Sequence, residues 1–133
     1  MKTTVTQFES SPPCAGPYSL GVRASGEFVF VSGQGPWNPE TKKFERGTVG
    51  EQTKLTLENV KRIVEALGGS MDNVVSCRVF LQQLTESSFK EMNAVYAGFF
   101  GSKPPARTTV GSSLLNIDVE IDCVVLINPA PTV

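Results

Sequence analysis

The chain has 133 residues, 40% of them hydrophobic and 19% charged, which is ordinary for a globular protein and predicts a single domain over residues 1–133. Twelve lysines and arginines against thirteen aspartates and glutamates give a net charge of -1 without a dense basic run, so nucleic acid is not an expected partner. Histidine is absent, which excludes Ser-His-Asp and Cys-His catalysis and most zinc sites.

The predicted compartment is reducing. The first residues lack the apolar core of a signal peptide, and no apolar run reaches the length needed to cross a bilayer. The three cysteines, Cys14, Cys77 and Cys123, are odd in number and show no C-x-x-C spacing, so we interpret them as free thiols. We therefore expect a cytoplasmic protein with no membrane partner.

Strands and helices alternate along the chain. Two capping-box spacings mark helix starts, Thr48 with Glu51 and Ser88 with Glu91. The predicted elements are strands at 19–24 and 27–32 around the turn Ser25-Gly26, a helix from Thr48 to Gly68-Gly69, a strand at 74–84, a helix from Ser88 to Gly101, and strands at 106–112 and 118–127.

The order β-β-α-β-α-β-β predicts an α+β fold, a single β-sheet with two helices packed on one face. Two helices cannot cover both faces of a sheet of this size. The strand at 27–32 is apolar on both faces, with Phe28 and Phe30 on one side and Val29 and Val31 on the other. We expect self-association to cover the second face.

The two last strands carry the residues of greatest chemical interest. Alternation places Arg107 on the same strand face as Thr109, and Glu120 on an acidic face of the final strand. An arginine can hold a carboxylate through two parallel hydrogen bonds, and a glutamate can position a water molecule. Taken alone, the pattern favours a surface ion pair between neighbouring strands, worth about 0.2–1 kcal/mol. Whether the two strands are neighbours is left open by the sequence.

Asp118 and Asp122 flank Glu120 on that acidic face. A straight strand spreads alternate side chains along a line, whereas hard cations prefer ligands that converge from a loop or from several elements. We therefore expect no metal site here.

Several short segments carry a further signal through their order. They are Gly16-Pro17-Tyr18-Ser19, Phe30-Val31-Ser32-Gly33-Gln34, Gln52 to Asn59, Asp72-Asn73-Val74-Val75, Asn93-Ala94-Val95-Tyr96 with Phe99-Phe100, Pro105-Ala106-Arg107 and Val119-Glu120-Ile121. Together, over roughly residues 14–127, they resemble the RidA/YjgF family of reactive-intermediate (enamine/imine) deaminases. The resemblance implies a chorismate-mutase-like fold and a homotrimer with clefts between subunits.

The same resemblance implies a reaction and a site. The reaction is hydrolysis of 2-imino and 2-enamino acids, such as 2-aminoacrylate and 2-aminocrotonate, to 2-oxo acids and ammonia without cofactor or metal. By match of position, Arg107 would clamp the substrate carboxylate and Glu120 would position the attacking water. The other residues expected to line the cleft are Tyr18, Ser32, Asn93 and Thr109.

Two departures from the family pattern keep alternatives open. Thr109 stands where many relatives have cysteine, and the loop 111–117 is shorter than is common and lacks the usual proline-containing turn. Trp37 is another candidate for a residue that sets specificity, although packing explains it equally well. The alternatives are a non-catalytic trimeric ligand-binding or chaperone-like module of the same fold, and a specialised catabolic deaminase such as 2-aminomuconate deaminase.

Overall fold

Two helices pack on one face of a four-stranded sheet in the computed structural model, which describes residues 1–128. The elements, in chain order, are β1 (Lys2–Val5), β2 (Gly21–Ala24), β3 (Glu27–Gln34), β4 (Trp37–Asn38), β5 (Lys43–Phe44), α1 (Val49–Ala66), β6 (Val74–Leu81), α2 (Glu86–Tyr96), β7 (Ala106–Gly111) and β8 (Val119–Ile127). The α+β class and the two helices on one face are confirmed.

The main sheet has the strand order β3-β8-β6-β7, so that β3 and β7 form its two edges. The pairs β3–β8 and β6–β8 are antiparallel, and β6–β7 is parallel. Two small hairpins stand outside this sheet: β1 pairs with β2, and β4 pairs with β5. The strand predicted at 19–24 thus begins at Gly21 and pairs with a strand that was not predicted, rather than with β3.

The cap of α1 is confirmed. Thr48 Oγ1 accepts a hydrogen bond from Glu51 N at 3.1 Å, and Glu51 Oε1 accepts one from Thr48 N at 2.9 Å. The helix ends at Ala66, and Gly68 follows with a φ of 91°, a left-handed conformation that glycine adopts at little cost.

The predicted start of α2 at Ser88 was wrong. Thr85 is the N-cap, because its Oγ1 accepts from Ser88 N at 3.0 Å while Ser88 Oγ accepts from Thr85 N at 2.9 Å. Glu91 does not cap the helix; its Oε2 accepts a hydrogen bond from Gly50 N at 2.6 Å and so ties α2 to the first turn of α1. The helix ends at Tyr96, earlier than the predicted Gly101, and continues as one 3-10 turn.

The core lies between the helices and one face of the sheet. Its fully buried side chains come from α1, α2, β6 and β8, and the largest of them is Tyr96. Cys77 and Cys123 are cross-strand partners in this core, with their sulfur atoms 3.2 Å apart, and both are free thiols as predicted. No helix within the described residues is long and apolar enough to cross a membrane.

The opposite face of the sheet is open. Phe28 and Phe30 on β3 stack at 5.9 Å between ring centroids, yet they are 67% and 72% exposed. Their cross-strand neighbours Leu126 and Val124 are only partly buried. Adjacent exposed aromatic side chains on a sheet face are characteristic of an interaction surface.

Candidate active site

Arg107 lies on the helix-covered side of edge strand β7, in register with buried Cys77. Its guanidinium carbon is surrounded by three aromatic rings, with centroids 5.0 Å away for Tyr18, 5.5 Å for Phe89 and 4.8 Å for Tyr96. These distances suit cation–π contacts, which hold the group without using its N–H donors.

The donors of Arg107 are largely unused. Nη1 contacts Met92 Sδ at 3.8 Å, while Nε and Nη2 are buried and have no hydrogen-bond partner among the described residues. No carboxylate within residues 1–128 forms an ion pair with it. Burial lowers the pKa of Arg107, but a guanidinium stays charged at neutral pH. A partly buried cation with vacant donors on one edge is suited to binding an anion.

Further polar groups lie on the same side of the sheet as this guanidinium. Asn93 Oδ1 and Thr109 Oγ1 are also buried without a partner in the described part of the chain. Ser19 N donates to Pro105 O at 3.0 Å, and Ser19 also bridges Ala106, which places the adjacent Tyr18 beside Arg107. The Tyr18 hydroxyl accepts from the backbone of the preceding loop at 3.0 Å, so the orientation of its ring is fixed.

Gly16 closes one side of this pocket. A Cβ at Gly16 would lie 2.8 Å from Arg107 Nη2 and 3.0 Å from Asn93 Nδ2, so the ends of these two side chains would have to move to admit it. The absence of a side chain at residue 16 therefore leaves room for the guanidinium and for whatever it binds. The sequence singled out Gly16 only as part of the segment Gly16-Pro17-Tyr18-Ser19, without a role of its own.

We predict that Gly16→Ala displaces the Arg107 guanidinium and weakens binding of a small carboxylate anion by about tenfold, the loss of roughly one charged hydrogen bond. Isothermal titration calorimetry measures this. Gly98→Ala is the matched control, because a Cβ at Gly98 meets nothing within 4 Å. Equal affinities in the two variants would contradict the assigned role of Gly16.

Glu120 occupies the other face of the sheet. Its two acidic neighbours, Asp118 just before β8 and Asp122 on β8, are engaged by arginines: Asp118 pairs with Arg46 at 3.0 Å and Asp122 with Arg78 at 2.6 Å. The Glu120 carboxylate has no hydrogen bond or ion pair within residues 1–128. Of these three carboxylates, it is therefore the one available to a ligand or a water molecule in the described structure.

The end of β3 approaches Glu120. A Cβ at Gly33 would lie 2.5 Å from Glu120 Oε2, so the carboxylate lies directly against the backbone of Gly33 and would have to move if residue 33 carried a side chain. The pairing of β3 with β8 shifts between Val31 and Gln34, which is the segment that contains exposed Ser32 and Gly33. A register shift of this kind bends the strand that carries it, and it falls at the segment that contacts Glu120.

The six predicted site residues thus fall into two groups. Tyr18, Asn93, Arg107 and Thr109 lie on the helix side near the β7 edge, whereas Ser32 and Glu120 lie on the open side near the β3 edge. Strand β6 separates β7 from β8, so the surface ion pair between Arg107 and Glu120 that the pattern favoured does not form. Within one chain the two groups therefore lie on opposite faces of the sheet.

A cavity of about 870 Å³ adjoins Glu120 and was not predicted. It lies between the C-terminal half of α1, the β4–β5 hairpin and the loop before β8, so it depends on tertiary packing that the sequence pattern does not display. Among the described residues there is no cluster of three or more histidine, cysteine, aspartate or glutamate side chains arranged to hold a metal ion.

The comparisons with known proteins agree with this architecture. Residues 8–127 match the family model described as "Endoribonuclease L-PSP". A RutC family protein of Pyrococcus abyssi is 43% identical over 114 residues, which cover 86% of this chain and 87% of that one. Reactive Intermediate Deaminase A, chloroplastic, of Arabidopsis thaliana is 36% identical over 126 residues, which cover 93% of this chain and 66% of that one.

A solved structure shows the same fold. RidA from the Antarctic bacterium Psychrobacter sp. PAMC 21119 superimposes with a TM-score of 0.70 at 34% identity, covering 94% of this chain and 100% of that chain. Fold and site define an α+β protein whose sheet carries a vacant arginine pocket on one side and a free carboxylate on the other. The chain belongs to the Rid (RidA/YjgF) family, which includes reactive-intermediate deaminases.

Proposed function

We propose that this chain hydrolyses 2-imino and 2-enamino acids to 2-oxo acids and ammonia, as a 2-iminobutanoate/2-iminopropanoate deaminase-like enzyme that requires no cofactor. The observation that carries the proposal is the guanidinium of Arg107, whose Nε and Nη2 are buried and unpaired in the described structure. A planar carboxylate fills two such donors at once. Membership in the Rid family and the name of the Arabidopsis relative support a deaminase role.

The chemistry suits a chain without histidine. The enamine takes a proton on carbon and becomes an iminium ion, and water adds to its C2 carbon. The resulting carbinolamine transfers a proton from oxygen to nitrogen and expels ammonia, so iminium plus water gives 2-oxo acid plus ammonium. The electrophile is already activated, and orientation of the water therefore supplies much of the rate enhancement. Glu120 orients this water, accepts its proton and passes the proton to the departing ammonia, which leaves as ammonium and restores the carboxylate.

The two groups of site residues meet when two copies of the chain associate. Because Arg107 is near the β7 edge and Glu120 near the β3 edge, the β7 side of one copy faces the β3 side of the next. Such head-to-tail contacts close into a ring, and a homotrimer is the expected ring. This arrangement covers the exposed faces of Phe28 and Phe30. Arg107, Tyr18, Asn93 and Thr109 then come from one copy, and Ser32 and Glu120 from its neighbour.

Other activities fit the molecule less well. The family description names an endoribonuclease, but a net charge of -1 and the absence of histidine argue against RNA cleavage by this chain. A non-catalytic binding module would use the Arg107 pocket and would leave the free carboxylate of Glu120 without a role. The cytoplasmic location stays a prediction, since relatives in yeast and Arabidopsis are named mitochondrial and chloroplastic.

We expect the wild-type protein to accelerate the decay of freshly generated 2-aminoacrylate and 2-aminocrotonate well above the rate in buffer. Their absorbance decay measures this, with ammonia and the 2-oxo acid quantified as products. The oligomer mass is measured on the same sample by light scattering. A properly assembled trimer that accelerates neither these imines nor larger ones would contradict the proposal and favour the non-catalytic module.

A further inference from the structure

The cavity beside Glu120 is much larger than the side chain of 2-iminopropanoate or 2-iminobutanoate. Its volume is about 870 Å³, within the range of pockets that bury a drug-sized molecule. The side chains of 2-iminopropanoate and 2-iminobutanoate are one and two carbons long. Most of such a cavity would stay empty around them.

The wall of this cavity is mainly apolar and aromatic. The apolar residues that line it are Trp37, Pro39, Phe44, Ile63, Ala66 and Ile117, with Leu115 at the loop. Trp37 and Phe44 meet edge to face with ring centroids 5.2 Å apart. Apolar walls of this kind bind an aliphatic or aromatic group by removing its surface from water.

The cavity is held open by specific contacts. Asn59 Nδ2 donates to Gly35 O at 2.9 Å and to Trp37 O at 3.0 Å, which fixes the β4–β5 hairpin to α1. A Cβ at Gly35 would lie 2.9 Å from Ile117 Cδ1, so the loop before β8 approaches the hairpin closely. These contacts fix the wall formed by Gly35, Trp37 and Ile117 before any ligand arrives.

We infer that this cavity receives the side chain of the substrate, and that the chain prefers 2-imino acids with large apolar side chains. The inference rests on the function proposed above. In a 2-imino acid the reacting C2 carbon carries the carboxylate on one side and the side chain on the other. When Arg107 of one copy holds the carboxylate and Glu120 of its neighbour faces C2, the side chain points away from Arg107. Glu120 and Gly33 both line the cavity, so a side chain that extends past Glu120 enters it.

Arg62 also lines the cavity and bears on the choice of substrate. It is exposed, and its guanidinium donates to Asn59 Oδ1. A second carboxylate at the end of the substrate would reach such a group, as in an imine derived from a dicarboxylic amino acid. Because most of the lining is apolar, we expect a substrate with an apolar side chain. A preference for the imine of a dicarboxylic amino acid would contradict the inference.

The test compares four imines, which an amino-acid oxidase forms in situ from alanine, leucine, phenylalanine and 2-aminoadipate. Semicarbazide traps the imine that remains, and the decrease in trapped imine measures hydrolysis. We expect kcat/KM of the wild-type protein to be about tenfold or more higher for the leucine and phenylalanine imines than for the alanine imine. Ala66→Phe places a ring at an exposed helix end inside the cavity and should lower this ratio by a similar factor.

Ala97→Phe is the matched control, since Ala97 is exposed and does not line the cavity. The preference should persist in that variant. A wild-type preference for the alanine or the 2-aminoadipate imine, or a preference that Ala66→Phe leaves unchanged, overturns the inference while hydrolysis itself still supports the proposed function. Failure of an assembled protein to hydrolyse any of the imines overturns both.

Discussion

Arg107→Lys is expected to lower kcat/KM for a 2-imino acid by roughly 10²-fold, because a lysine ammonium cannot form the two parallel hydrogen bonds of a guanidinium. The shorter polar head would also leave the aromatic enclosure formed by Tyr18, Phe89 and Tyr96, in which the guanidinium carbon lies 4.8–5.5 Å from the ring centroids. Steady-state kinetics with 2-aminocrotonate measure the loss. Turnover close to that of the wild-type protein would remove the carboxylate clamp from the mechanism.

A stability measurement separates this role from a structural one. Arg107 places a partly buried charge where no described carboxylate pairs with it, and an apolar side chain of similar length removes the free-energy cost of burying that charge while it keeps the packing against the aromatic rings. We therefore expect Arg107→Met to be inactive yet no less stable than the wild-type protein in urea denaturation. A clear loss of stability would show that Arg107 supports the fold rather than a ligand.

Glu120→Gln is the second large effect that we expect. The amide keeps the size of the side chain against Gly33 but cannot accept a proton from water, so kcat should fall by roughly 10²-fold or more. KM should change little, because the carboxylate of the substrate is held by Arg107 from the neighbouring copy. Initial rates over a range of 2-aminocrotonate concentrations separate the two parameters.

Asp122→Asn is the matched control for Glu120→Gln. Asp122 lies two residues further along the same face of β8 and pairs with exposed Arg78, a contact worth little at the surface. The Asp122→Asn variant should retain most of the wild-type activity and the same oligomer mass. Comparable losses in the two variants would point to a general effect of charge on this face and against a specific role for Glu120.

Local signals in the sequence predicted most of the elements of the fold. The Thr48–Glu51 capping box and Gly68 correctly predicted the two ends of α1. Both signals depend only on hydrogen bonds and backbone angles within a few residues. The same kind of signal misled at α2, where Ser88 and Glu91 have the spacing of a cap. In the structure, Thr85 is the N-cap of α2, and Glu91 instead accepts a hydrogen bond from Gly50 of the other helix.

The geometry of the candidate site was beyond such local reasoning. Alternation correctly placed Arg107 and Glu120 on particular faces of their strands, but it carries no information about which strands are neighbours. The insertion of β6 between β7 and β8 follows from the packing of the whole sheet. The cavity beside Glu120 likewise arises where Trp37, Ile63 and Ile117 converge from distant parts of the chain.

The central claim is that Arg107 and Glu120 act on one substrate from two copies of the chain. Co-expression of Arg107→Met and Glu120→Gln chains carrying different tags, followed by purification on both tags, yields rings that contain both variants. A mixed trimer contains two chains of one variant and one of the other. In both cases one of the three head-to-tail contacts joins an intact Arg107 to an intact Glu120, so about one third of the wild-type activity should return. Mixed rings as inactive as either parent variant would contradict the account.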